Sequence, residues 1–171
     1  MAFIQLCLFP LWFMFHEMEE IIFFRHWVNK NGVRIQSRYP RISRPLLQFG
    51  KVATATFSIA VFEELLLVGI AIYVAIFLQI HCIWVILIGA FTIHLLFHLI
   101  GAIILGRYTP GSFTALLSLP YCIYAVIHFG NLFTPIQILF WTFVGLLFSG
   151  INLWIAQRIA LRIDHYFTTK A

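Results

Sequence analysis

"CIWVILIGAFTIHLLFHLIGAIILG", residues 82–106, contains no Asp, Glu, Lys or Arg, and it is longer than the roughly 20 apolar residues that carry a helix across the hydrocarbon of a bilayer. The 171-residue chain is 62% hydrophobic and only 10% charged, so several such runs compete for burial and no soluble core of this size hides them all. Working outward from residues 82–106, hydropathy predicts further spans at 3–24, 52–79, 113–130 and 135–157. The expected fold is all-α, a polytopic bundle of five transmembrane helices forming a single membrane domain over residues 1–171.

Between the first two spans lies "RHWVNKNGVRIQSRYPRISRPLLQFGK", residues 25–51, with seven of the eleven Lys and Arg, two prolines and two glycines. It reads as a basic cytoplasmic loop or interfacial segment. With it in the cytoplasm, the span count places Arg107, Arg158, Arg162 and Lys170 on the same side and leaves "IH" and "NLFT" on the other without a positive charge. That is the positive-inside pattern, with the N-terminus outside, the C-terminus cytoplasmic and the chain a multi-pass protein of the cell membrane. A net charge of +5 is explained by topology and not by nucleic acid, for which no motif is present. The apolar start lacks a basic leader and a small-x-small cleavage site, so it is expected to remain as a span. Cys7, Cys82 and Cys122 are odd in number, lie in or beside apolar runs and read as packing residues. Gly89, Gly101, Gly145 and Ser149 allow close helix contacts, within one chain or between copies in a homo-oligomer.

Five of the six carboxylates fall inside the spans: Glu17, Glu19 and Glu20 in "HEMEE" (residues 16–20), and Glu63 and Glu64 in "VFEELLL" (residues 61–67). Asp164 alone lies in a polar tail. A charged carboxylate at the bilayer centre costs about 2.5–3.5 kcal/mol on insertion scales, so these groups need partners, protons or a metal. His94 and His98, four residues apart, share one helical face, and His16 stands in the same relation to Glu19 and Glu20. Glu17 points roughly opposite to Glu19 and reads as interfacial.

At 1.5 Å per residue, His16 and Glu20 lie about 6–12 Å below the cytoplasmic edge, His98 about 12 Å, Glu63 and Glu64 about 17 Å, and His94 about 18 Å. Helices of different direction thus carry imidazole and carboxylate to one level. His16, Glu19, Glu20, Glu63, His94 and His98 are the candidate ligands of a divalent metal, zinc or iron, since imidazole and carboxylate suit both. Glu20 or Glu64 is the candidate general base. For each the bland alternative stays open: a hydrogen-bonded packing histidine, as His81 and His128 read, or a protonated carboxyl.

In "GRYTPGSFTA", residues 106–115, Pro110 and Gly111 predict a turn, with Ser112 or Thr114 capping the next helix. Arg107, Tyr108 and Thr114 with those amides form a candidate anion or substrate site, Tyr108 doubling as a candidate catalytic group.

On these residues the chain resembles the HXXEE family of integral membrane proteins, whose motif His16, Glu19 and Glu20 fit. The family's second block, an Asn, a His and then Y-x-P-G-x-x-T-A, is matched at His98, Tyr108, Pro110, Gly111, Thr114 and Ala115, with Pro120 beyond. His94 stands where the block has Asn. The resemblance implies an activity that is not established but for which the polar motifs suggest catalysis. There is a looser likeness to intramembrane proteases of the CAAX-processing type, although Arg25 comes one residue too late for their E-E-x-x-x-R pattern.

The leading expectation is a membrane enzyme, a metal-dependent hydrolase or lipid-modifying protein acting on a lipid or a membrane-accessible small molecule. Two other classes stand beside it: a small proton- or ion-coupled transporter, and a non-enzymatic membrane assembly protein.

Overall fold

A computed structural model describes residues 2–41, 43–50, 52–129 and 132–170. Among these the chain forms six helices: α1 Ala2–Arg38, α2 Ser43–Phe49, α3 Thr54–Phe77, α4 Cys82–Leu105, α5 Ser112–Phe129 and α6 Pro135–Lys170. α3, α4 and α6 are long and apolar enough to cross a membrane, and α5 carries a shorter apolar stretch, Ser112–His128. Large apolar side chains stand exposed along the outer faces of these helices, among them Phe62, Ile70 and Phe77 on α3, Ile103 on α4, Ile127 on α5, and Ile136, Phe143 and Ile151 on α6. Such continuous apolar surface suits lipid and not water.

The chain departs from the expected loop after residue 24, because α1 continues without a break to Arg38. The reason is periodic. Phe9, Phe13, then the neighbours His16 and Glu17, and Glu20, Phe24, Trp27, Asn31 and Ile35 recur every three or four residues, one stripe of a single helix. Trp27, Val28 and Ile35 are buried while Arg25, Lys30, Arg34 and Arg38 are exposed, so the basic stretch is an amphipathic extension of the same helix. α2 folds back on it, with Leu46 and Leu47 packed against the Trp27, Val28 and Ile35 cluster. At Gly50 a side chain would meet Val28, with a β-carbon only 2.6 Å from its Cγ1.

α6 likewise runs past residue 157, the predicted end of the last span. Its Asp164 accepts hydrogen bonds from Ala53 N at 2.9 Å and Thr56 Oγ1 at 3.3 Å. The acid read as part of a polar tail therefore satisfies donors at the start of α3.

The main core joins α1, α3, α4 and α5 through Phe9, Phe13, Ile72, Trp84, Ile88, Phe91 and Leu95, with the small residues Ala115, Cys122 and Ala125 of α5. Cys122 is the fully buried cysteine, as a packing role requires, whereas Cys7 is exposed. α4 and α6 approach closely within the chain: a β-carbon on Gly145 would press on the Ile86 carbonyl, and one on Gly89 would press on Thr142. α4 ends at Gly106 in the left-handed region, φ 61°, where Arg107 N reaches Ala102 O at 3.2 Å. That geometry favours glycine. The tight connection to α5 returns the chain over His98, about two turns before the end of α4.

Candidate metal centre

Four side chains from two helices converge. His16 and Glu20 come from α1 and His94 and His98 from α4, and one ligand atom from each lies within 4.8 Å of all the others. His94 Nε2 is 3.1 Å from His16 Nε2 and 3.1 Å from His98 Nε2. Glu20 Oε1 is 2.7 Å from His98 Nε2 and 3.9 Å from His16 Nε2. His16 is fully buried.

Bonds on the far side of two rings decide which nitrogens carry hydrogen. His98 Nδ1 lies 2.9 Å from the Pro110 carbonyl, which only accepts, so Nδ1 is the donor. His16 Nδ1 lies 3.0 Å from Thr114 Oγ1. That hydroxyl donates to Glu19 Oε2 at 2.5 Å, and so it accepts from His16. In their neutral forms both rings therefore aim a bare Nε2 into the cluster. The third imidazole has at most one Nε2 hydrogen to offer two bare nitrogens, and Glu20 Oε1 is buried with the Nε2 of His98 2.7 Å away. A proton on His98 Nε2, donated to Glu20, relieves part of this repulsion, and a cation among these atoms removes it. Ligands held at about 2.0–2.1 Å around a tetrahedral ion stand about 3.3 Å apart, close to the 3.1 Å from His94 Nε2 to each of the other two nitrogens.

Glu19, expected as a ligand, is engaged elsewhere. It accepts from Tyr108 Oη at 2.7 Å, Thr114 N at 2.7 Å and Phe113 N at 3.4 Å, in addition to the Thr114 hydroxyl. The α5 amides expected to receive an anion thus receive the chain's own carboxylate, at the positive end of the helix. Thr114 is a link from Glu19 to His16, the outer support that fixes a ligand's tautomer. Tyr108 spends its hydroxyl on Glu19; burial first, then that bond to the carboxylate, pushes its pKa above the ordinary phenol value and keeps it a donor. Arg107 Nη1 donates to Asn31 Oδ1 at 3.3 Å, and Trp27 Nε1 donates to the Tyr108 carbonyl at 2.8 Å, which ties the turn to α1. Gly111, φ 84°, sits against the rings: a β-carbon there would lie 2.6 Å from His98 Nδ1.

Glu63 is also apart from the four, accepting from Asn152 Nδ2 at 3.2 Å. Glu64 lies beside the cluster, lining two cavities together with Glu17 and His94. Glu17 corrects the interfacial expectation. It is buried, and its Oε1 stands 3.9 Å from His94 Nε2. Its direction opposite Glu19 was legible in the sequence; the buried stripe through Phe13, Glu17, Glu20 and Phe24 would have shown that this direction is inward.

A family model described as "Protein of unknown function with HXXEE motif" matches residues 7–125, well over half of the chain. Neither the curated proteins nor the solved structures include a match.

Proposed function

We propose, from the premise that the chain belongs to the HXXEE family, that it is a multi-pass membrane enzyme, a metal-dependent hydrolase acting on a lipid or another membrane-accessible small molecule. The observation that carries this reading is the convergence of His16, Glu20, His94 and His98, one ligand atom from each within 4.8 Å of all the others. His16, His94, His98 and Glu20 would hold the ion, zinc or iron, whose ligand preferences these groups match. Such an ion supplies Lewis acidity and makes a water nucleophile available near neutral pH.

The chain's own residues supply the rest. His94, with 39% of its side chain exposed, is the member of the cluster that faces the cavities, and Glu17 stands beside it. Glu17 is placed to take the proton of an attacking water. In an ester or amide hydrolysis the water oxygen bonds to the carbonyl carbon, the bond to the alcohol oxygen or amine nitrogen breaks, and that proton ends on the departing atom. Glu64, on α3, contributes a second carboxylate at the same junction.

The accompanying topology is five spans, N-terminus outside and C-terminus cytoplasmic, supported by the collection of all eleven Lys and Arg on one side. Elemental analysis of the purified protein tests the centre. About one zinc or iron per chain is expected in the wild type, lost in His16→Ala and His98→Ala. A wild-type preparation that stays metal-free after incubation with either ion overturns the metal reading.

A further inference from the structure

The cluster lies where two cavities meet. One, about 350 Å³, is bordered by apolar side chains of α1, α3, α4 and α6, among them Leu67, Ala71, Ile83, Leu87, Val144 and Phe148. The other, about 510 Å³, lies toward the Pro110 turn and is more mixed, with Glu20, Trp27, Thr109 and Gln157 on its walls. They share Glu17, Glu64, His94 and Leu153. An apolar tunnel and a more polar chamber thus join at the carboxylates and the exposed imidazole.

The dimensions of the apolar cavity select its occupant. Along α4 it reaches from His94 to Ile83, about 16 Å at 1.5 Å per residue. The depth of one leaflet, which one lipid chain spans, is about 15 Å, half of the hydrocarbon thickness. Averaged over the length from His94 to Ile83, the cavity is about 8 Å from wall to wall, wide enough for an extended acyl chain. Its polar atoms lie at one end, where Glu17, Glu64 and His94 meet, so an occupant with one long apolar tail and one polar group is oriented uniquely.

We propose that the two cavities form one bipartite substrate site for a single-chain acyl compound. The acyl tail fills the tunnel toward Ile83, its carbonyl lies at Glu17 and His94, and the group attached through oxygen or nitrogen occupies the chamber near Pro110. This rests on the hydrolase reading for the bond to be broken, but tail recognition depends only on the tunnel.

The test is photolabelling of the full chain in bilayer nanodiscs with a palmitic acid analogue carrying a diazirine near its methyl end. Labelled peptides should come from the tunnel walls, near Leu67–Ala71 and Ile83–Leu87. Unlabelled palmitate should compete at least about tenfold better than octanoate, because each lost methylene removes buried apolar area. Ala71→Trp and Val144→Trp, which fill the tunnel from different helices, should each cut labelling by about fivefold or more with helix content unchanged. Wild-type protein freed of metal by a chelator should keep the label, so failure of the metal reading leaves this result intact. Label scattered over the lipid-facing surface, indifference to both tryptophan variants, or stronger competition by a polyprenyl acid than by palmitate would overturn the proposal.

Discussion

Replacing Thr114 by valine keeps the shape of a buried side chain and deletes one hydroxyl. That hydroxyl donates to Glu19 Oε2 at 2.5 Å, lies 3.4 Å from the Gly111 carbonyl, and accepts from His16 Nδ1 at 3.0 Å. Glu19 is left with the Thr114 amide and the Tyr108 hydroxyl, both at 2.7 Å, and the Phe113 amide at 3.4 Å, so its loss is small. His16, fully buried, is left with a donor and no acceptor, a cost of about 1–3 kcal/mol. The ring relieves that cost by changing tautomer or rotating, and either movement takes the bare Nε2 away from the cluster. Metal affinity should therefore fall by about 10- to 100-fold, the range found for outer-shell partners of ligating histidines. In free energy this is about 1.4–2.8 kcal/mol, the same size as the orphaned hydrogen bond. Competition against a chromophoric chelator in detergent measures it directly, with Thr114→Ser expected to recover most of the affinity. Wild-type affinity in a folded Thr114→Val protein would refute the claim that the Glu19–Thr114–His16 chain holds the ligand.

Glu17→Gln should reduce hydrolysis of a chromogenic long-chain acyl ester by about 10²- to 10⁴-fold while metal content stays at the wild-type level, the signature of a base and not a ligand. Glu63→Gln should leave the stoichiometry of bound metal unchanged and Glu20→Gln should lower it, since Glu63 pairs with Asn152 and Glu20 faces His98; equal loss in both would reinstate Glu63 as a ligand. Gly111→Ala forces a side chain into left-handed backbone at about 1–2 kcal/mol and pushes on His98, so both the thermal midpoint and the metal affinity should drop. Gly145→Ala drives a β-carbon into the Ile86 carbonyl and should cost about 1–3 kcal/mol of thermal stability with metal affinity unaltered, because that carbonyl lies about 12 Å along α4 from His94.

Hydropathy and charge are properties of local composition, so the sequence by itself determined the helical class and the position of every apolar run; each expected span lies on a helix. Periodicity was equally available for the continuation of α1 through residues 25–38, but its stripe is visible only when Trp27, Asn31 and Ile35 are counted on from His16, across a cluster of positive charges that otherwise suggests a loop. Helical rise also brought His16, Glu20, His94 and His98, together with Glu63 and Glu64, to overlapping depths of about 6–18 Å. It could not say how far each helix is rotated about its own axis. That rotation is set by packing between helices far apart in sequence, by Phe9 and Phe13 against Phe91 and by Gly111 against the two rings. It turned Glu17 inward beside His94, gave Glu19 to the α5 amides and left Glu63 with Asn152. Carboxylates identical in chemistry and neighbouring in sequence thus took different tasks, because a turn of about 100° per residue sends each to a different neighbour and only the folded bundle decides which neighbour is there.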